Sequence, residues 1–170
     1  MSFVRYTHYG YQIMKKNKIG TILLIVTPIL IGIGSAILTK DMMVEYGSIK
    51  KPFLSPPATI FPIAWTILYI LMGAGAAIVY SSDTANETNR RMGLLFHAMQ
   101  LILNFFWSII FFNAKEYLLA FIWLILLWLA VLSMLLNYRK ISKSAFILNI
   151  PYIVWLTFAG YLNLAVFLLN

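Results

Sequence analysis

With 170 residues, 62% of them hydrophobic and 11% charged, the chain has too few polar side chains to cover a soluble core, since soluble domains run to about 45–50% apolar and about 25% charged residues. Its net charge of +8 is scattered over short segments between apolar runs and forms no basic stripe interleaved with exposed aromatics, which argues against a nucleic-acid surface. The absence of cysteine excludes disulfides, thiolate metal sites, cysteine nucleophiles and thiolate haem ligation.

A basic N-terminal segment, residues 1–18, leads into the first apolar run, Ile19–Leu38. That run is longer than the roughly 7–15 residues of a signal-peptide core and ends at Thr39-Lys40-Asp41 instead of at a small-residue cleavage site, so it reads as a retained helix. Pro28 is expected to bend it. The second run is Ala58–Tyr80, the third spans about residues 92–112, the fourth is Tyr117–Leu136 and the fifth spans about residues 146–169. Each is long enough to cross about 30 Å of hydrocarbon at about 1.5 Å per residue. The period-two alternation of an outer-membrane barrel is absent. Residues 19–169 therefore predict a single all-α integral membrane domain, a bundle of five transmembrane helices.

Lys and Arg in the connecting segments set the expected orientation. Arg5, Lys15, Lys16, Lys18, Arg90, Arg91, Arg139, Lys140 and Lys143 would lie on one side, against Lys40, Lys50, Lys51 and Lys115 on the other. The positive-inside bias puts the N-terminus in the cytoplasm and the C-terminus outside.

All five acidic residues, Asp41, Glu45, Asp83, Glu87 and Glu116, fall between the runs. Ion-coupled carriers usually keep ionisable groups inside the membrane, so this pattern argues against one, and against hydrolysis by paired carboxylates. No serine has a His-Asp set, and two histidines without cysteine make a metal site an unpromising reading.

The spans carry aromatic and amide side chains at helical spacing instead. His97, Gln100, Asn104, Ser108 and Phe111 share one face of the third run, with Trp107 at its edge. Tyr152, Trp155, Ala159, Leu162, Asn163 and Val166 do the same in the fifth, and Phe61, Trp65, Tyr69 and Met72 in the second. Amides in hydrocarbon need partners, so these faces should point into the bundle. They serve either as helix-to-helix glue or as the lining of a cavity for a planar, mostly apolar ligand, and spacing leaves both open. His97 alone reads as a hydrogen-bonded bundle histidine rather than a haem ligand. Gly73-Ala74-Gly75-Ala76-Ala77 permits close helix approach, inside the bundle or between protomers. The Pro-rich segment from Tyr46 to Pro57 reads as a lid over the bundle mouth or as a solvated linker.

The stretch KPFLSPPATIFPIAWTILYILMG, Lys51 to Gly73, resembles the signature of the TspO family, the tryptophan-rich sensory proteins, which include the mitochondrial translocator protein. QLILNFFWSIIFF (Gln100 to Phe112) and PYIVWLTFAGYLNLAVFLLN (Pro151 to Asn170) agree with two further blocks. The resemblance implies a bacterial cell-membrane protein, often a homodimer. It would bind porphyrins and other tetrapyrroles, sterols and benzodiazepine-type drugs such as PK11195, with porphyrin as ligand and no cofactor required. It also implies a part in tetrapyrrole regulation or transport, or in light-dependent degradation of protoporphyrin IX by tryptophans, here Trp65 and Trp155. Asn104 and Trp107 match the Leu-Asn…Trp block, Ala159 and Leu162 the drug-pocket positions of the fifth helix, and Tyr46 and Pro57 the lid-like loop. Phe61, Tyr69 and Tyr152 join them as ligand-binding candidates. Leu54 and Thr59 stand where many members carry extra tryptophans, and the tail Leu162–Asn170 lacks the Tyr…Arg cholesterol pattern of the animal proteins, so a sterol role is not carried over.

Overall fold

The computed structural model describes residues 17–45, 49–83 and 86–170, with backbone alone at 41–45. Among the described residues, five helices are long and apolar enough to cross a membrane: α1 (Lys18–Glu45), α2 (Ile60–Ser81), α3 (Glu87–Ser108), α4 (Tyr117–Ile141) and α5 (Lys143–Leu169). The chain is a multi-pass α-helical membrane protein.

The helices outrun the apolar stretches that mark them. Asn86 starts α3 ahead of the apolar run, its Oδ1 accepting the backbone N–H of Thr88 at 2.9 Å and of Asn89 at 3.4 Å, with Glu87 against the positive end of the helix. α1 continues past Leu38 to Glu45, because Lys40 and Asp41 end the hydrocarbon stretch without interrupting backbone hydrogen bonding. α4 and α5 are separated by Ser142 alone, whose N–H donates to the Tyr138 carbonyl at 2.8 Å and whose Oγ accepts from Ala145 N–H at 3.3 Å. The end of α3 widens into a π-helical turn, Ile109–Asn113, and Lys115, at φ 57°, reverses the chain into α4.

The helices form a closed circuit in which α1 packs on α2, α2 on α5, α5 on α4, α4 on α3, and α3 with its π turn back on α1. The small residues of α2 serve this packing within the chain: Gly73, Gly75, Ala76 and Ala77 are all buried. A Cβ on Gly73 would stand 2.7 Å from the Ile25 carbonyl oxygen and 2.8 Å from its Cα, so glycine is what lets the α1 and α2 backbones touch. Met72, Leu127, Met134, Tyr152 and Leu156 are fully buried. The outer surfaces of α1 and α4 show Ile19, Ile22, Leu23, Leu30, Leu118, Ile122, Ile125 and Leu129, the apolar face that hydrocarbon requires.

Candidate functional site

In the half of the bundle nearest the α1–α2 connection, the helices part around a cavity of about 430 Å³. α2 contributes Phe61, Trp65, Thr66 and Tyr69, the end of α3 and its π turn Trp107, Ser108, Phe111 and Phe112, and α5 Ala159, Leu162 and Asn163. α1 supplies the remaining wall with Ile29, Gly32, Ile33, Ser35, Ala36 and Thr39. Among the described residues, no charged side chain lines it. The rings brace one another: Trp65 stacks on Tyr69 at 5.6 Å and meets Tyr152 edge-on at 6.3 Å, and Trp107 stacks on Phe111 at 5.3 Å.

The polar atoms of this region are mostly spent on the protein itself. Thr39 donates to the Ser35 carbonyl at 3.0 Å and Thr66 to the Pro62 carbonyl at 2.8 Å. Trp107 Nε1 donates to Asn163 Oδ1 at 3.2 Å, and Asn163 Nδ2 to the Tyr117 carbonyl at 2.8 Å. Behind the aromatic wall runs a buried chain across three helices. Tyr69 donates to Asn104 Oδ1 at 2.8 Å, Asn104 Nδ2 donates to the Tyr152 hydroxyl at 3.1 Å, and Tyr152 donates to Gln100 Oε1 at 2.8 Å. This set holds ring planes at fixed angles and offers a guest apolar faces rather than hydrogen bonds. Among the described residues no three His, Asp or Glu side chains gather to hold a metal ion.

Residues 24–169 match the sequence profile of the TspO/MBR family. The chain belongs to that family. The tryptophan-rich protein TspO of Chlorobaculum tepidum is 36% identical over 138 residues, covering 81% of this chain and 86% of the relative. Protein CrtK of Rhodobacter capsulatus is 38% identical over 125 residues, 74% of this chain and 78% of the relative. The translocator protein of Ovis aries is 33% identical over 118 residues, 69% of this chain and 70% of the relative.

Of the residues singled out from the sequence of this TspO/MBR protein, Phe61, Trp65, Tyr69, Trp107, Ala159 and Leu162 come together on the cavity wall. Asn104 and Tyr152 stand one layer behind, in the hydrogen-bonded chain. Trp155 is half-buried, edge-on to Phe61 at 6.0 Å. Pro57 is exposed, while its neighbour Ala58 lines the cavity. Tyr46 lies outside the described residues. His97 is buried, but neither ring nitrogen has a hydrogen-bond partner, unlike the hydrogen-bonded histidine expected from the sequence.

The α1 wall escaped the sequence reading because that run looks uniformly apolar. A signal was nonetheless present: Gly32, Ser35, Ala36 and Thr39 are small or hydroxylated residues spaced three and four apart amid Ile and Leu. Gly32 faces the Tyr69 ring so closely that any Cβ there would overlap it.

Proposed function

We propose that this protein is a membrane receptor and sensor for tetrapyrroles, binding protoporphyrin IX, related haem-type porphyrins and benzodiazepine-type drugs such as PK11195 within the helix bundle, and contributing to tetrapyrrole regulation or transport. The observation that carries the reading is the cavity, about 430 Å³ and walled by six aromatic rings, Phe61, Trp65, Tyr69, Trp107, Phe111 and Phe112. Its volume falls in the range of about 300–1,000 Å³ usual for small-molecule sites. A flat, mostly apolar ring system gains stacking and area burial there without asking for hydrogen bonds the wall cannot give. The carboxylates of a porphyrin would stay hydrated at the mouth, where Lys50 is exposed, because burying them unpaired is costly. The names of relatives, a sensory protein in Cereibacter sphaeroides and a translocator protein in Ovis aries, agree with a ligand-responsive role. The protein works as a homodimer in the bacterial cell membrane, N-terminus inside and C-terminus outside.

Titration of the purified protein with protoporphyrin IX tests this. Saturable quenching of tryptophan fluorescence is expected, and it weakens in a Trp65→Phe/Trp107→Phe variant. Unchanged affinity and quenching in that variant would remove the pocket assignment.

A second reading, light-driven degradation of bound protoporphyrin IX, is favoured by Trp65, whose indole lines the cavity and stacks on Tyr69. The excited porphyrin would pass its energy to dissolved oxygen, and the singlet oxygen so formed attacks porphyrin and adjacent indole. Trp155, one ring away through Phe61, is the second indole in reach. Illumination in oxygen is the measurement: bleaching no different from free porphyrin in the same detergent eliminates this reading.

A further inference from the structure

The half of the bundle away from the cavity holds polar atoms that no side chain or backbone group among the described residues satisfies. Both ring nitrogens of His97, the Tyr138 hydroxyl and Asn149 Oδ1 are buried without a hydrogen-bond partner, as are Arg90 Nε and, in the α1–α2 connection, Ser55 Oγ. His97, Tyr138 and Asn149 are 2%, 0% and 0% exposed. They come from α3, α4 and α5, and hydrocarbon outside the bundle offers them nothing.

The contacts that fix the helices also fix the depth of these groups. Tyr69 meets Asn104 and Met72 meets Gln100, so ascending numbers on α2 pair with descending numbers on α3. One turn further brings Gly75 to the level of His97. Gly75 abuts the Asn149 amide and lies near the Ala145 carbonyl, which brings Asn149 to the same level. Below that, a Cβ on Gly93 would stand 3.2 Å from two ring carbons of Tyr138. Helical side chains lean toward the N-terminus of their own helix. His97 on α3 therefore leans toward Gly93, and Tyr138 on the antiparallel α4 leans toward His97.

We propose that His97, Tyr138 and Asn149 form a second binding site, for ordered water, beneath the ligand cavity. Buried waters typically make about three hydrogen bonds to groups that would otherwise be unsatisfied. A neutral imidazole brings one donor and one acceptor, the phenol both, and the free amide oxygen an acceptor, a set that water, as donor and acceptor at once, completes. His97 is one turn from Gln100, the end of the Tyr69–Asn104–Tyr152–Gln100 chain, and Arg90 Nε lies two turns beyond it on the same face of α3. The site thus extends the polar chain behind the aromatic wall toward the membrane face at which α3 begins.

The full-length protein in lipid nanodiscs tests the site by a double-mutant cycle. In a dry core, deleting an unpaired polar atom removes a penalty and raises the melting temperature; in a hydrated site it strands the water and lowers it. Tyr138→Phe removes one oxygen and keeps the ring, so it folds in either case, and it is expected to lower the melting temperature by a few degrees. His97→Leu should do likewise, and the pair together should lose less than the sum, because both hold the same water. A melting temperature unchanged or raised by Tyr138→Phe, or strict additivity in the cycle, overturns the proposal. Water-edited solid-state NMR reads the site without any substitution. His97 side-chain signals are expected to build up from water magnetisation faster than those of Leu127 and Leu156, and a build-up as slow as theirs overturns it.

Discussion

Tyr69 donates its hydroxyl hydrogen to Asn104 Oδ1 at 2.8 Å, and this single bond ties the cavity wall to the buried polar chain at the centre of the bundle. Asn104→Leu would keep the branched heavy-atom skeleton and leave the Tyr69 hydroxyl without an acceptor. Stranding a buried donor costs about 1–3 kcal/mol, whereas the average net worth of a hydrogen bond between membrane helices is only about 0.6 kcal/mol. The predicted loss is therefore about 1–2 kcal/mol in a denaturation titration. Adding Tyr69→Phe should recover part of it, since the orphaned hydroxyl is then gone.

Two glycines make a contrast, Gly73 of α2 at the seam with α1 and Gly34 of α1 beside Phe105 of α3. At Gly73 a methyl group would collide with the Ile25 backbone, which has no rotamer to yield with, so α1 must move away. At Gly34 the nearest atom to an added Cβ is Phe105 Cε2, 4.0 Å away, an ordinary contact. Gly73→Ala is expected to destabilise by about 1–3 kcal/mol. Gly34→Ala is expected to be neutral, or to stabilise by up to about 1 kcal/mol through helix propensity. Melting curves of both variants in one detergent check the sign difference.

The five spans were legible because lipid leaves no choice: a run of about 20 apolar residues must be a helix that satisfies its own backbone. The same constraint exposed the inward faces, since Gln100, Asn104 and Asn163 cannot face hydrocarbon. What stayed hidden depends on neighbours rather than on solvent. The π turn at Ile109–Asn113 carries no Gly or Pro to announce it, yet it helps bring Trp107, Phe111 and Phe112 onto one wall. Gly73 and Gly75 were compatible with contacts inside or between chains, and only the closed circuit of helices assigns them to α1 and α5. The α3 start at Glu87 was hidden by its charged first turn, although Asn86 is a good capping residue.

Asn170 offers a handle on the mouth of the cavity. Its Oδ1 accepts the Lys50 backbone N–H at 3.0 Å and its Nδ2 donates to the Lys50 carbonyl at 3.0 Å. This amide therefore pairs with the α1–α2 connection as a neighbouring strand would. Asn170→Ala removes both bonds. Exposed hydrogen bonds are worth about 0.5–1.5 kcal/mol each at most, so ligand dissociation should quicken about 3–10-fold with little change in melting temperature. Stopped-flow recovery of tryptophan fluorescence after displacement of protoporphyrin IX measures the rate. An unchanged rate would mean that the ligand leaves by another path.

A substitution that fills the cavity separates binding inside the bundle from adsorption on its lipid-facing surface. Ala159 lines the cavity, buried one turn before Leu162 and Asn163 on α5, and a phenyl ring there would occupy space that the guest needs. Trp128 on α4 is absent from the lining and donates to Thr157 Oγ1 at 3.0 Å. Ala159→Phe is therefore expected to weaken protoporphyrin IX and PK11195 alike by tenfold or more, a loss of at least about 1.4 kcal/mol. Trp128→Phe should leave both affinities unchanged while lowering the starting fluorescence. Surface adsorption predicts the reverse ranking, because Ala159 is hidden from lipid and the ring of Trp128 is partly exposed. Equilibrium titrations of the two variants against the parent decide which surface the ligand meets.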